Sequence, residues 1–266
     1  MTVGRGVRRS SRRTLRGLTG GLVLFVGLEV LTRAELVSPT YLPPASAVVA
    51  TTLAILVDPE FLQAVAGTLA GWGLGLIVAS AIAIPLGLVL GWSWRGYRAS
   101  TTAIELLRPI PSVALIPLAI LLLGRGLDMR VALVAYASLW PILLNTIYGV
   151  RDVDPVARDT ARAFGFGTLA TLRRVSLPSA APFMYTGVRV AAAVALIVAI
   201  SAELVGGGST PGIGTWMLER TQPGVDRELM YAGIVVAGLL GLGIDILMLA
   251  GERRLFGWHH RMRSVS

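Results

Sequence analysis

Reactive side chains are scarce in this sequence, and that scarcity restricts its chemistry. Among 266 residues there is no cysteine and no lysine, and the two histidines, His259 and His260, are adjacent in a polar tail. Without lysine a G-x-x-x-x-G-K-[ST] phosphate loop cannot be written, so the chain does not itself supply a P-loop ATPase. Without cysteine there are no disulfides or thiolate metal sites, and an isolated His pair is read as solvated or headgroup-facing. The apolar segments hold neither His nor Cys and only scattered carboxylates, so no enzyme activity, metal or cofactor is expected. What remains in apolar surroundings is Glu105 and Arg108, one helical turn apart, with Asn145, Glu203 and Asp245.

An intramembrane charge costs about 3 kcal/mol on insertion scales, so such residues usually have a purpose. Glu105 and Arg108 either pair with each other, or Arg108 snorkels to the surface, or both line a solute pathway. Asn145 is expected to make an interhelical hydrogen bond worth about 0.6 to 2 kcal/mol. Glu203 ends an apolar run, where the helix dipole disfavours a carboxylate. It is expected to hold the Gly206 to Gly208 turn through backbone amides or to act at an external gate. Asp245 is expected to have an arginine partner.

The elements that position these groups belong to a membrane. With 54% hydrophobic residues, 15% charged and a mean hydropathy of +0.71, the chain is too apolar for an ordinary soluble domain. It reads as an all-α integral membrane protein, and no nucleic-acid partner is expected. Residues 1–16 form a basic arm followed by an apolar run, Gly17 to Thr32; a retained first helix is expected rather than a cleaved twin-arginine signal. Ser38 to Pro44 is a proline-rich linker, and Ala45 to Val57 is short for a span, so it is read as interfacial or re-entrant. Further spans are expected at Ala64 to Gly91, Thr102 to Leu123, Val131 to Val150, Phe183 to Val205 and Leu229 to Ala250, with a tail over 251–266. Gly67, Gly71 and Gly75 repeat every four residues, a spacing for close helix approach. The Thr102 to Leu123 segment, interrupted by Pro109, Pro111 and Pro117, is read as a broken span lining a cavity. Counted this way, eighteen of the twenty-four arginines are cytoplasmic, as are both termini; Arg33, Arg125, Arg130, Arg220 and Arg227 lie outside and Arg108 within the third span.

One polar stretch, Asp154 to Pro182, interrupts the bundle inside a loop spanning 151–182. Asp154 suits an N-cap and Pro155 a first helical position, with a stop at Gly165. Thr168 is expected to cap a second short helix, Leu169 to Ser176, that Pro178 ends. Arg158 and Arg162 share one face of the first helix; Val156, Thr160, Ala163 and Phe164 form the other. Two capped helices and an aromatic are more than a loop needs, and the stretch is read as a docking element for a partner protein.

At these residues the chain resembles the permeases of bacterial ABC importers. Their signature, E-A-A, three residues, G, nine residues, I-x-L-P, is met by Asp159, Thr160, Ala161, Gly165, Val175, Leu177 and Pro178 with every spacing kept. Asp, Thr and Val replace the usual Glu, first Ala and Ile. LPPASAV at Leu42, RPIPSVALIP at Arg108, the run from Trp140 to Val150, and Ala202-Glu203 before a glycine-rich run are similar to the nitrate, sulfonate, taurine and bicarbonate subgroup. The resemblance implies a type I importer permease fold with six spans in a bacterial inner membrane. It also implies two ATPase subunits that bind the ATP, a second permease copy, and an extracytoplasmic solute-binding protein. Arg158 to Arg162, Phe164, Gly165, Val175, Leu177 and Pro178 then form the ATPase-coupling site. The implied solute is a small anion such as nitrate, an alkanesulfonate or taurine. A neutral thiamine-precursor pyrimidine is the alternative within the family, and an ATP-independent secondary transporter or channel the alternative outside it.

Overall fold

The computed structural model describes residues 19–23, 25–34, 41–208, 210–220 and 227–262, with backbone alone from 257 to 262. The basic arm of residues 1–16, part of the proline-rich linker and the side chains of His259 and His260 lie outside the described residues. Among the described residues every regular element is a helix. Helix α1 is helical at 19–23 and 25–33. Then come α2 (Ala45–Ile55), α3 (Pro59–Trp92), α4 (Trp94–Leu107), a 3-10 turn (Ser112–Leu115) and α5 (Ile116–Leu123). The chain continues with α6 (Leu127–Arg151), α7 (Pro155–Ala163), α8 (Thr168–Thr171) and a π turn (Leu172–Ser176). Helices α9 (Leu177–Gly206), α10 (Ile213–Glu219) and α11 (Arg227–Met262) complete it.

Four stretches are long and apolar enough to cross a membrane unbroken: Pro59–Trp92, Leu127–Arg151, Thr168–Gly206 and Arg227–Phe256. The bent pair Trp94–Leu107 and Ser112–Leu123, at 74° to each other, is long and apolar enough only when its two arms are taken together. The pair covers the segment expected as a broken third span, with a break at the prolines, although its first arm begins at Trp94 and not at Thr102. Pro109 and Pro111 lack backbone donors at the bend, and neither arm buries its backbone in a continuous ladder across it. The last helix runs past the expected end at Ala250 to Met262, with non-helical angles at Phe256, so residues 251–262 extend α11.

The chain divides into two compact units, residues 1–62 with 219–236 and residues 63–218 with 237–266. In the first, Glu29 on α1 accepts from the amide and hydroxyl of Ser46 at 2.9 and 2.8 Å. A carboxylate is favoured there, at the N-terminus of α2. Arg220 bonds Glu60 at 2.7 Å in the same unit.

The core of the second unit is built on small residues. Leu76, Ala79 and Ala83 of α3 meet Ile142, Leu143 and Ile147 of α6 and Ala191, Ala192 and Leu196 of α9. Further along, Ala195, Ala199 and Ala202 of α9 pack with Met129, Leu133 and Val134 of α6 and Ile116 of α5. Helices approach closely only where side chains are short, since packing rather than apolar transfer drives association in lipid. The expected glycine repeat on α3 serves this: a Cβ at Gly75 would stand 2.5 Å from Val134. Trp72 on α3 donates to the Ala192 carbonyl on α9 at 2.8 Å, and Tyr185 on α9 to the Met248 carbonyl on α11 at 2.8 Å.

Candidate functional site

The signature loop starts as its sequence dictates. Asp154 accepts from the Val156 amide at 2.8 Å, Pro155 opens α7, and Gly165 follows the helix at φ 80°, a left-handed conformation that glycine adopts without strain. The Phe166 amide closes the turn on the Ala161 carbonyl at 3.0 Å. The second half departs from expectation. Thr168 is the first residue of α8 and caps nothing; Gly167 holds the cap position. Pro178 does not end a short helix, because α8, the π turn and α9 run on as one stretch from Thr168 to Gly206. The widened turn at Leu172–Ser176 lies just ahead of Pro178, where the ring would otherwise clash with the carbonyl four residues back.

The loop residues sort into two groups. Asp159, Thr160, Arg162, Phe164, Gly165, Leu177 and Pro178 are exposed; Ala161 is buried, and Val175 and Arg158 are half-buried. Phe164 is 79% exposed and Val156 68% exposed, so two apolar side chains stand unsupported on a polar helix. Arg162 pairs with Asp159 at 3.4 Å in the open. Arg158, expected to share one helix face with Arg162, turns back instead: its Nη2 donates to the Val150 carbonyl and its guanidinium lies over the Trp92 ring. Burial first, and the Arg162 charge second, lower its pKa from the ordinary guanidinium range.

A second polar node was not legible in the sequence. Arg130 Nη1 meets Glu203 Oε1 at 2.7 Å, with side chains 3% and 1% exposed. The same Nη1 donates to the Pro211 carbonyl at 3.0 Å. Glu203 Oε2 accepts from the Thr68 hydroxyl at 2.9 Å and the Gly214 amide at 2.9 Å. Thr68 in turn accepts from the Ile213 amide at 2.8 Å. These amides belong to the first turn of α10, whose unsatisfied donors and dipole suit a carboxylate. That resolves why a carboxylate sits at the end of α9. It also corrects two expectations: Glu203 holds the Gly214 amide and not the Gly206 to Gly208 turn, and Arg130 is a buried member of α6 and not a loop arginine. Glycine is required here by space: a Cβ at Gly212 would lie 2.4 Å from the Glu203 carboxyl carbon.

The other expected residues are scattered. Among the described residues Asn145 makes no interhelical hydrogen bond; it donates to the Pro141 carbonyl of its own helix at 2.8 Å. Gly187 of α9 packs closely on it: a Cβ there would fall 2.8 Å from Asn145 Cβ. Asp245 finds its arginine in Arg189, at 3.0 Å, which also pairs with Glu252 at 3.1 Å. Glu105 and Arg108 are exposed, and no hydrogen bond or ion pair joins them among the described residues. Both line a cavity of about 420 Å³ with Tyr97, Thr101, Leu144 and Tyr148. No cluster of His, Cys, Asp and Glu able to hold a metal is present among the described residues.

Long apolar helices packed through small residues, with a capped polar loop between two of them, are the elements of a membrane-embedded helical protein. The profile of the family described as binding-protein-dependent transport system inner membrane component matches residues 83–257. The taurine transport system permease protein TauC of Escherichia coli (strain K12) is 30% identical over 230 residues, covering 85% of this chain and 82% of that protein. The putative aliphatic sulfonates transport permease protein SsuC of Bacillus subtilis (strain 168) is 26% identical over 246 residues, 92% of this chain and 88% of that one. Among solved structures, the MetNI methionine ABC transporter in inward-facing conformations superposes with a TM-score of 0.64 at 18% identity, over 74% of this chain and 98% of that chain. The chain belongs to this family of ABC importer permeases, with their all-helical fold and inner-membrane location.

Proposed function

We propose that this chain is the transmembrane subunit of an ATP-driven importer for a small organic anion of the sulfonate class. In this reading six spans cross the membrane with both termini cytoplasmic, and the 151–182 loop faces the cytoplasm. Two copies of the chain assemble with two copies of an ATPase that binds the ATP, and a solute-binding protein delivers the solute from outside. Closure of the ATPases on ATP moves the loop, and a difference in their affinity for the inward and outward states shifts the populations. The observation that carries the docking is the exposure of Phe164 and Val156 on an otherwise polar, capped helix. A lone exposed aromatic beside exposed Arg162 has the composition of an interface anchor.

The sulfonate class is supported by the relatives named for taurine and aliphatic sulfonates, and by the exposed Arg108 at a cavity of about 420 Å³. Uptake into proteoliposomes containing the chain, its ATPase and its binding protein tests it. An alkanesulfonate should compete for uptake; competition by a neutral pyrimidine and not by a sulfonate or nitrate contradicts the anion reading.

A further inference from the structure

Arg158 and Arg162 lie one turn apart on α7 and are used differently. Arg162 stays in the open with Asp159. Arg158 reaches the Val150 carbonyl, in the last turn of α6, and its Cζ stands 5.5 Å from the centre of the Trp92 ring at the end of α3. The last carbonyls of a helix lack intrahelical donors, and a cation is favoured there by the dipole. Beside it Arg151, the last residue of α6, stacks over Trp94 at 4.8 Å and Tyr97 at 4.3 Å on α4. Apolar packing does not hold α7 in place, because its nine residues bury a single side chain, the methyl of Ala161. Covalently, only residues 152–154 join α7 to α6. α7 also touches α8 and the π turn that follow it, but its angle to α6 and α3 is set by the polar contacts of Arg158.

We propose that Arg158 is a positioning residue, the joint that locks α7 to the ends of α6 and α3, so that a push on α7 is carried into those helices. Val156, Arg162 and Phe164 are then the side that the ATPase meets, and Arg158 is the side that transmits. This rests on the proposed ATPase docking for its consequence, but the joint itself is a property of this chain alone. Lysine is a poor substitute, since its ammonium lacks the planar face that stacks on an indole and the fork that reaches a carbonyl at the same time.

The native chain has no cysteine. Nitroxides at Ala163→Cys on α7 and Tyr148→Cys on α6, both exposed positions, therefore report the angle between the two helices in the purified chain in nanodiscs. With the labelled chain diluted in unlabelled chain, so that only distances within one copy are read, Arg158 should give a single narrow peak; Arg158→Ala should about double its width, as a loosened terminal element does. Trp92→Phe, which keeps a ring, should stay narrow, and Trp92→Leu should broaden. A distribution unchanged by both Arg158→Ala and Trp92→Leu overturns the joint. In unlabelled transporter, Arg158→Ala should retain the ATPase on purification and its KM for ATP, while solute moved per ATP falls about tenfold, within the range of ordinary coupling energies. Loss of the ATPase on purification, as expected of Phe164→Ala, would make Arg158 a partner contact and overturn the proposal. If no ATPase accompanies even the parent chain, the proposed function is contradicted, and the distance measurement decides the joint by itself.

Discussion

Arg130 and Glu203, 73 residues apart, meet at 2.7 Å inside the bundle and tie α6 and α9 to Thr68 of α3 and to the segment that opens α10. A buried pair of this kind is weak evidence for net stability but strong evidence for interdependence. Removing one partner leaves the other charged and unpaired, at about 3 to 5 kcal/mol, whereas removing both leaves only a packing defect.

Glu203→Leu and Arg130→Met should therefore each lower the unfolding free energy by about 3 to 5 kcal/mol, measured by denaturation in mixed detergent. The double variant should recover most of that loss, and the cycle should show a coupling energy above about 1 kcal/mol. Losses that simply add would mean that the two charges do not sense each other.

The node also depends on the backbone of α3 coming close. A Cβ at Gly67 would stand 2.1 Å from the Pro211 carbonyl oxygen, the same oxygen that accepts from Arg130. Gly67→Ala should destabilise the chain by about 1 to 3 kcal/mol through overpacking, measured in the same denaturation assay. Gly73→Ala, on the same helix where an added Cβ meets nothing, is the control and should not destabilise.

In the signature loop the expectation is reversed: function should be lost without stability. Phe164 is 79% exposed, so Phe164→Ala should change stability by no more than about 0.5 kcal/mol. Co-purification of the ATPase should nonetheless fall sharply. An unchanged yield of ATPase would mean that Phe164 does not contribute to docking.

Gly165 closes α7 at φ 80° with open space around it, so what it contributes is conformation, not room. Gly165→Val imposes about 1 to 2 kcal/mol of left-handed strain and should re-aim the chain between α7 and α8. The variant should insert normally, with solute uptake lost and ATP hydrolysis uncoupled from it. Normal uptake would remove this turn from the coupling path.

How much of this could be read beforehand followed from range. The start of α7, the Gly165 turn and the helix break at Pro109 and Pro111 were legible because caps, positive φ and proline act within a few residues. The Arg130 to Glu203 pair was not, because nothing local marks Arg130; counting charges between spans placed it with the loop arginines. Nor did the spacing of Arg158 and Arg162 reveal that only one faces outward, since that depends on where Trp92 and Val150 end their own helices. Pro178 misled for a subtler reason: a proline reads as a stop, yet the π turn before it removes the clash that would have made it one.

In the proposed importer the 154–178 element lies on the inner side of the membrane and is covered there by an ATPase. Gly167 is exposed on that element, and a cysteine placed there would be unique in the chain. Labelling Gly167→Cys with a membrane-impermeant maleimide should fail in intact cells and succeed in inverted vesicles stripped of peripheral proteins, and adding back the ATPase should protect the site. Ready labelling in intact cells, or labelling in inverted vesicles that the ATPase leaves unchanged, would contradict it.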